Sequence, residues 1–98
     1  MHEIPDDQLR IAAIPMPDAT WEEIGAFALT IDGYARAGSF ESVAEIANAR
    51  RHTSLADVRM CLFFEQRRWR HFGEEPDEES MRYIRELVRL IRQHVEAQ

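Results

Sequence analysis

The chain has 98 residues, of which 45% are hydrophobic and 31% are charged, and its formal net charge is −6. This composition is too apolar for a disordered chain, and the length suits one domain rather than two. The negative charge disfavours a dedicated nucleic-acid binder, and the short apolar runs disfavour a membrane span. Because the N-terminus lacks the basic and apolar regions of a signal peptide, we expect a cytoplasmic protein.

The charges are unevenly distributed. Residues 1–49 hold nine acids and two arginines, which gives −7, whereas residues 50–98 hold nine acids and ten arginines, which gives +1. The overall acidity therefore leaves room for a local basic surface in the second half. The chain uses arginine and no lysine, which is typical of a GC-rich genome and suggests a bacterium.

Residues 1–17 are predicted to form an extended arm, because they contain three prolines and leave room for at most a short helical turn near 7–13. The arm is too apolar for a solvated tail, since it carries Ile4, Leu9, Ile11, Ile14 and Met16. We expect it to pack on the rest of the chain or on a partner. Residues 18–98 are predicted to form a single helical domain.

Helical periodicity and capping residues predict four helices, near 21–37, 40–51, 55–72 and 78–96. Thr20 and Glu23 form a capping-box pattern ahead of the first helix, and Ser39, Ser54 and Asp77 are suitable caps for the others. No stretch has the alternation or turn chemistry of a β-hairpin. The expected fold class is all-α: a compact four-helix domain, an up-down bundle or a related orthogonal arrangement, with an extended N-terminal arm.

A glutamate interrupts the apolar stripe of the third predicted helix. The other members of that stripe are Leu55, Val58, Leu62, Trp69 and Phe72. A carboxylate at Glu65 should therefore be buried, and it needs a partner. The candidates for a buried polar contact are Arg68, Arg36, Tyr34 and the indole of Trp69. The alternative roles for Glu65 are a catalytic carboxylate or an acceptor for a ligand cation.

The third helix is also apolar outside this stripe, at Met60, Phe63 and Phe64. It is expected either to lie centrally, covered by the arm and the first helix, or to present a hydrophobic patch to a second chain. Because a C2 dimer is the commonest way to cover such a patch, self-association is a further expectation.

Basic residues and aromatics alternate near the end of the third helix, where Arg67, Arg68 and Arg70 surround Trp69. Such interleaving can bind single-stranded nucleic acid. Trp69 belongs to the core stripe, however, so its ring is predicted to point away from solvated arginines.

Four arginines lie on one face of the fourth helix, at Arg82, Arg85, Arg89 and Arg92. Their 3-4-3 spacing forms a row beside an apolar half. The row can pair with acids of its own fold, bind an acidic partner protein or follow a phosphate backbone.

No spacing typical of a metal, cofactor or catalytic site is visible. The histidines form no two-histidine ligand pair, and the acidic run at 74–79 lacks the pattern of an EF-hand loop. The lone Cys61 lies at the inner edge of the helix stripe and is predicted to be a buried structural thiol. We therefore expect no metal, no cofactor and no enzyme activity.

These features favour a small cytoplasmic bacterial protein that binds another protein, as an adaptor, an immunity protein or an antitoxin does. One alternative is a nucleic-acid-binding regulator that uses the arginine row. Another is a small enzyme or ligand binder built around Glu65. The candidates for partner binding are Arg82, Arg85, Arg89, Arg92, Phe63 and Phe64.

Overall fold

Four α-helices and a short 3-10 turn make up the computed structural model, which describes residues 9–31 and 39–97. The elements are the 3-10 turn Ile11–Ala13, α1 Trp21–Ala28, α2 Phe40–Ala49, α3 Leu55–Phe72 and α4 Glu78–Glu96. These residues contain no β-strand, so the predicted all-α class is confirmed. The Cα radius of gyration is 12.2 Å, close to the value of about 13 Å for a compact chain of 100 residues.

Each helix begins at a side chain that caps it. An oxygen of the capping residue accepts the backbone N–H three positions later, at Thr20, Ser39, Ser54 and Asp77. At the other end, α3 stops at Gly73 with φ +66° and α2 stops at Arg50 with φ +51°. These local signals explain why α3 and α4 have the predicted bounds.

The first helix is shorter than predicted. It ends at Ala28 instead of continuing toward residue 37, because the chain tightens into i→i+3 hydrogen bonds at Thr30 and Ile31. The Thr30 hydroxyl also donates to the Phe27 carbonyl oxygen at 2.6 Å. This bond competes with continuation of the helix. Residues 32–38, which include Tyr34 and Arg36, lie outside the described residues.

The third helix occupies the centre of the fold. It packs against α1, α2 and α4, and α4 also contacts the 3-10 turn. A helix with three helical neighbours must be apolar on several sides, which explains Met60, Cys61 and Phe64 beside Val58 and Leu62. Whether the four helices form an up-down or an orthogonal arrangement stays a prediction.

Part of the arm is buried against the helices. Leu9 and Ile14 are each 4% exposed and belong to the core, whereas Ile11 and Met16 are 36% and 56% exposed. Arg92 of α4 donates from Nη1 to the Ile14 carbonyl oxygen at 3.0 Å. This bond links α4 to the arm next to a core side chain.

Candidate functional site

The Glu65 carboxylate lies in the interior, where the residue is 4% exposed. The Trp69 indole Nε1–H donates to its Oε2 at 3.2 Å, and Arg68 Nη1 lies 3.8 Å from its Oε1. Both partners belong to α3 itself, so these contacts hold the carboxylate without joining two helices. Arg36 and Tyr34, the other predicted partners, lie outside the described residues.

Two predictions about the neighbours of Glu65 are wrong. Arg68, a candidate for a buried polar contact with Glu65, is not itself buried: its side chain is 49% exposed, because a long cationic side chain can reach a carboxylate from the surface. Trp69 was expected to point away from the arginines, yet the Arg68 guanidinium lies 5.4 Å from the centre of its ring. The ring is half-buried, with its face available to the cation.

Burial raises the pKa of the Glu65 carboxyl above its usual value, and the attraction of Arg68 and the hydrogen bond from Trp69 oppose this only in part. The carboxylate lines a small recess of about 170 Å³ together with polar side chains from α2 and α4, among them Asn48, Arg50, Glu79 and Tyr83. The geometry therefore keeps an acid in the core at an energetic cost.

Replacement of Glu65 by glutamine should remove the free-energy cost of keeping an ionised carboxylate in the core. Between pH 4.5 and the higher pKa of the folded state, the folded chain keeps the proton that the unfolded chain has lost. The contribution of Glu65 to the free energy of unfolding should therefore fall as pH rises through this range, while the lowered pKa of His52 acts in the opposite direction in every variant. The Glu65→Gln variant, which can still accept from Trp69, should lack this fall and be at least as stable at pH 7.

Urea unfolding at pH 4 to 8 measures the effect. Glu65→Ala is the control, since it removes the acceptor and should lower the free energy of unfolding by about 1–3 kcal/mol. A free energy of unfolding that rises with pH in the unsubstituted chain relative to Glu65→Gln would contradict the inferred direction of the pKa shift.

A second group of polar side chains surrounds Tyr83 on α4. Its hydroxyl lies 3.1 Å from His52 Nε2, and the Arg50 guanidinium lies 4.8 Å from the ring centre. The Cys61 thiol is a further neighbour. No pattern in the sequence predicts this group. His52 and Tyr83 are 31 positions apart, and nothing local in the sequence pairs them.

The Tyr83 group consists of three neutral side chains, those of His52, Cys61 and Tyr83, beside the Arg50 guanidinium. Burial raises the pKa of the Cys61 thiol to about 11, and burial and the neighbouring thiol raise the pKa of Tyr83. Burial also lowers the pKa of His52, although Asp57 and Glu86 act in the opposite direction. With its thiol and phenol protonated at neutral pH, the group has the chemistry of a structural network rather than of an activated nucleophile.

The arginine row of α4 is divided by contacts within the chain. Arg89 forms a two-pronged ion pair with Glu86, and Arg92 is bound to the Ile14 carbonyl oxygen. Arg82 is 75% exposed and lies 3.9 Å from an exposed Glu78, while Arg85 is exposed. Two of the four guanidinium groups are therefore already occupied.

The structure does not show the exposed patch of Phe63 and Phe64 that the sequence predicts. Phe64 is 7% exposed and belongs to the core, so its assignment to an exposed patch is wrong, while Phe63 is half-buried. The exposed ring is instead that of Phe72, at 61%, although it was predicted to lie in the core. Phe72 is the last residue of α3, and the helix ends at Gly73 in the left-handed conformation.

The C-terminal end of α3 carries four exposed cationic or basic side chains, here called the basic ridge: Arg67, Arg68, Arg70 and His71. Arg70 and His71 are favourably placed in the last turn, at the negative end of the helix dipole. A recess lies on each side of this ridge.

The first recess, the Phe72 groove, has a volume of about 620 Å³ and lies between α2 and α3. Its described lining consists of Ala44, Asn48, Phe64, Arg67, Arg68, His71 and Phe72. The groove thus combines two aromatic rings with a rim that carries positive charge and, among these residues, no negative charge.

The second recess, the Gln66 cavity, has a volume of about 400 Å³. Its described lining consists of Leu29, Gln66, Arg67, Arg70 and His71. Gln66 is 2% exposed, and its Oε1 atom is buried without a hydrogen-bond partner. An orphaned buried acceptor of this kind costs about 1–3 kcal/mol, so it is uncommon without a reason.

Arg59 is also 2% exposed, and the burial of these two polar residues is not predicted by the apolar stripe of α3. The two residues are seven positions apart, so they lie on one face of α3, two turns from each other. Gln66 packs near Gly25 of α1, where an added Cβ would lie 3.9 Å from Gln66 Cγ. The seven-residue spacing was visible in the sequence, but which helix covers that face was not.

Comparison of the sequence with protein-family models, with curated proteins and with solved structures finds no match. None of the described helices has both the length and the apolarity needed to cross a membrane. Within residues 9–31 and 39–97, no group of three or more histidine, cysteine, aspartate or glutamate side chains is placed to hold a metal ion.

Proposed function

We propose that the chain is a protein-interaction module, of the adaptor, immunity-protein or antitoxin kind, that acts in a bacterial cytoplasm. Its binding surface is the basic ridge with the Phe72 groove, and the occupant is an acidic segment of a partner protein. The observation that carries this proposal is the large exposed ring of Phe72 beside a groove whose described charged residues are all basic.

Charge complementarity supports an acidic occupant. The chain as a whole is acidic, at −6, so the ridge is a local concentration of positive charge rather than a consequence of composition. Arg67 lies at the rim of both recesses, and Arg68 keeps half of its side chain exposed despite its approach to Glu65. Guanidinium groups at a rim steer carboxylates toward the surface and fix their orientation.

The apolar part of the groove supports a protein occupant. Its volume falls in the range of about 300–1,000 Å³ that is typical of pockets for bound groups. A groove floored by Phe64 and flanked by Phe72 can take one large apolar side chain. Amphipathic segments bind in this way, with an apolar anchor in the groove and charged residues at the rim.

A nucleic-acid partner has weaker support. Two arginines of the α4 row are used within the chain, and the exposed acids Glu74, Glu75, Asp77, Glu78 and Glu79 directly follow the basic ridge. The phosphates of a long backbone would extend past the ridge onto this acidic run, whereas the carboxylates of a short segment need contact only the ridge itself. If four arginines did track phosphates on duplex DNA, affinity should fall with salt at a log-log slope of about −3 to −4.

A ligand site at Glu65 has one observation in its favour, the polar recess beside it. Its volume of about 170 Å³ is below the usual range for small-molecule pockets. The raised pKa of Glu65 follows from burial, which a structural role accounts for as well.

Site-specific photo-cross-linking tests the proposal. A photoreactive residue replaces Phe72 in cells that express the chain, and the matched control carries it at Met16, another exposed apolar position. Mass spectrometry of the adducts should identify an acidic segment cross-linked at 72 and not at 16. A synthetic peptide of that segment should bind the purified, unsubstituted chain.

Three outcomes would contradict the proposal: adducts with nucleic acid at 72, adducts with a second copy of this chain, or equal capture from both positions. The second outcome would identify the groove as a homodimer interface, as expected for self-association.

A further inference from the structure

We propose that binding of the acidic segment is coupled to the uptake of a proton by Glu65, and that Arg68 links the two events. The coupling makes the partner bind more tightly as pH falls. This inference rests on the proposed function, because it concerns regulation of the same surface.

Arg68 stands between the buried carboxylate and the proposed binding surface. Its Nη1 atom lies 3.8 Å from Glu65 Oε1, and the residue lines both the Phe72 groove and the recess of about 170 Å³ beside Glu65, here called the Glu65 recess. Asn48 also lines both, so the groove and the recess adjoin each other. About half of the Arg68 side chain is exposed, which leaves it accessible to an incoming carboxylate.

Glu65 depends on Arg68 for part of its ionisation. Burial raises the pKa of the carboxyl, and the positive charge of Arg68 is the largest of the influences that lower it. The hydrogen bond from Trp69 and the Arg50 guanidinium at the end of α2 act in the same direction as Arg68. A buried carboxylate that loses part of a compensating charge takes up a proton more readily.

An acidic ligand at the basic ridge weakens this compensation whichever position Arg68 adopts. If the guanidinium turns toward the ligand, it moves away from Glu65. If it stays, two carboxylates share it, and the ligand adds a negative charge nearby. In both cases the protonated form of Glu65 is favoured. By thermodynamic reciprocity, protonation of Glu65 releases Arg68 for the ligand and raises the affinity.

Other groups that carry or exchange a charge face this region. Those that line the Glu65 recess from α2 and α4 are Arg50, Glu79 and Tyr83. Burial raises the pKa of Tyr83, so its hydroxyl stays protonated, and His52 contacts that hydroxyl from the other side. His71 lines the Phe72 groove and becomes cationic at acid pH, which favours an anion by itself. A test must therefore separate Glu65 from the histidines.

Titration calorimetry with an acidic probe tests the coupling. The probe is a pentapeptide, blocked at both ends, in which four aspartates flank one phenylalanine; its carboxylates stay largely ionised at pH 5. At pH 8, Glu65→Gln should bind it about fivefold more tightly than the unsubstituted chain, at the lower end of typical coupling between two sites. The difference should narrow at pH 5, where Glu65 takes up a proton. Both proteins contain the same histidines, whose titration therefore cancels from the comparison.

Arg68→Gln identifies the route of the coupling. In this background, the added replacement Glu65→Gln should change the probe affinity at pH 8 by no more than about twofold, as expected of independent sites. Without any ligand, Arg68→Gln should also raise the pKa of Glu65. NMR of the side-chain carboxyl carbon measures this pKa, and the signal is identified by its absence in Glu65→Gln.

Arg82→Gln is the matched control. It removes the same charge from an exposed arginine that lines neither the Phe72 groove nor the Glu65 recess. This variant should leave both the pKa of Glu65 and the coupling unchanged.

Equal pH dependence of probe affinity in the unsubstituted chain and in Glu65→Gln would overturn the coupling and leave the proposed function intact. Coupling that persists in Arg68→Gln, or a pKa of Glu65 that this variant does not raise, would overturn it too. If the probe bound neither protein at the basic ridge, the proposed function would fail, and the coupling with it.

Discussion

Replacement of the two buried side chains of the arm, in the double variant Leu9→Ala/Ile14→Ala, should lower the free energy of unfolding by about 4 kcal/mol or more. Each residue is 4% exposed within the core, and removal of a buried leucine or isoleucine side chain costs about 2–5 kcal/mol. Since small domains are stable by only about 5–15 kcal/mol, this loss should be visible as a large decrease in the urea midpoint.

The same arm provides the matched control. Ile11→Ala/Met16→Ala removes a similar number of atoms from side chains that are 36% and 56% exposed. This variant should change the free energy of unfolding by less than about 1 kcal/mol. Equal effects of the two double variants would mean that the arm is not part of the folded core.

Charge reversal in the basic ridge, Arg67→Glu/Arg70→Glu, should weaken binding of the acidic partner segment about 100-fold or more. Both arginines are exposed and line the recesses, and placing like charges opposite each other across an interface costs several kcal/mol. The helix should persist, because the loss of a favourable charge near its end costs only about 0.3–1 kcal/mol.

Arg82→Glu/Arg85→Glu is the matched control for that experiment. It reverses two exposed arginines at the same spacing on α4 and changes the net charge by the same amount, from −6 to −10. Titration calorimetry with the cross-linked segment as a synthetic peptide should give near-normal affinity for this variant. If the α4 pair lost binding and the α3 pair kept it, the arginine row would be the partner surface instead.

The sequence was sufficient to predict the elements whose signals are local. Ser54, Gly73 and Asp77 mark the bounds of α3 and α4, and the apolar stripe of α3 placed Glu65 in the interior. The C-terminal end of α1 was predicted wrongly. The hydrogen bond from the Thr30 side chain to the Phe27 carbonyl oxygen competes with continuation of the helix, and which of the two prevails depends on the tertiary context.

The candidate site depended on information that periodicity does not contain. Phe72 continues the core stripe in sequence but is exposed in the fold, because neighbouring helices leave the last turn of α3 uncovered. Gln66 is a polar residue outside the predicted core stripe, yet it is buried near Gly25 of α1. Both outcomes are set by how far each neighbour extends along α3, which is a tertiary property.

The most direct test of the central claim is a chemical-shift map of the unsubstituted chain with the acidic segment captured at position 72. Binding through the basic ridge predicts that the largest shifts occur at residues 66–72 of α3 and at Ala44 and Asn48 across the groove, with small changes at Arg82 and Arg85. Shifts concentrated on the α4 row, with the end of α3 unaffected, would show that the partner binds the arginine row and not the basic ridge.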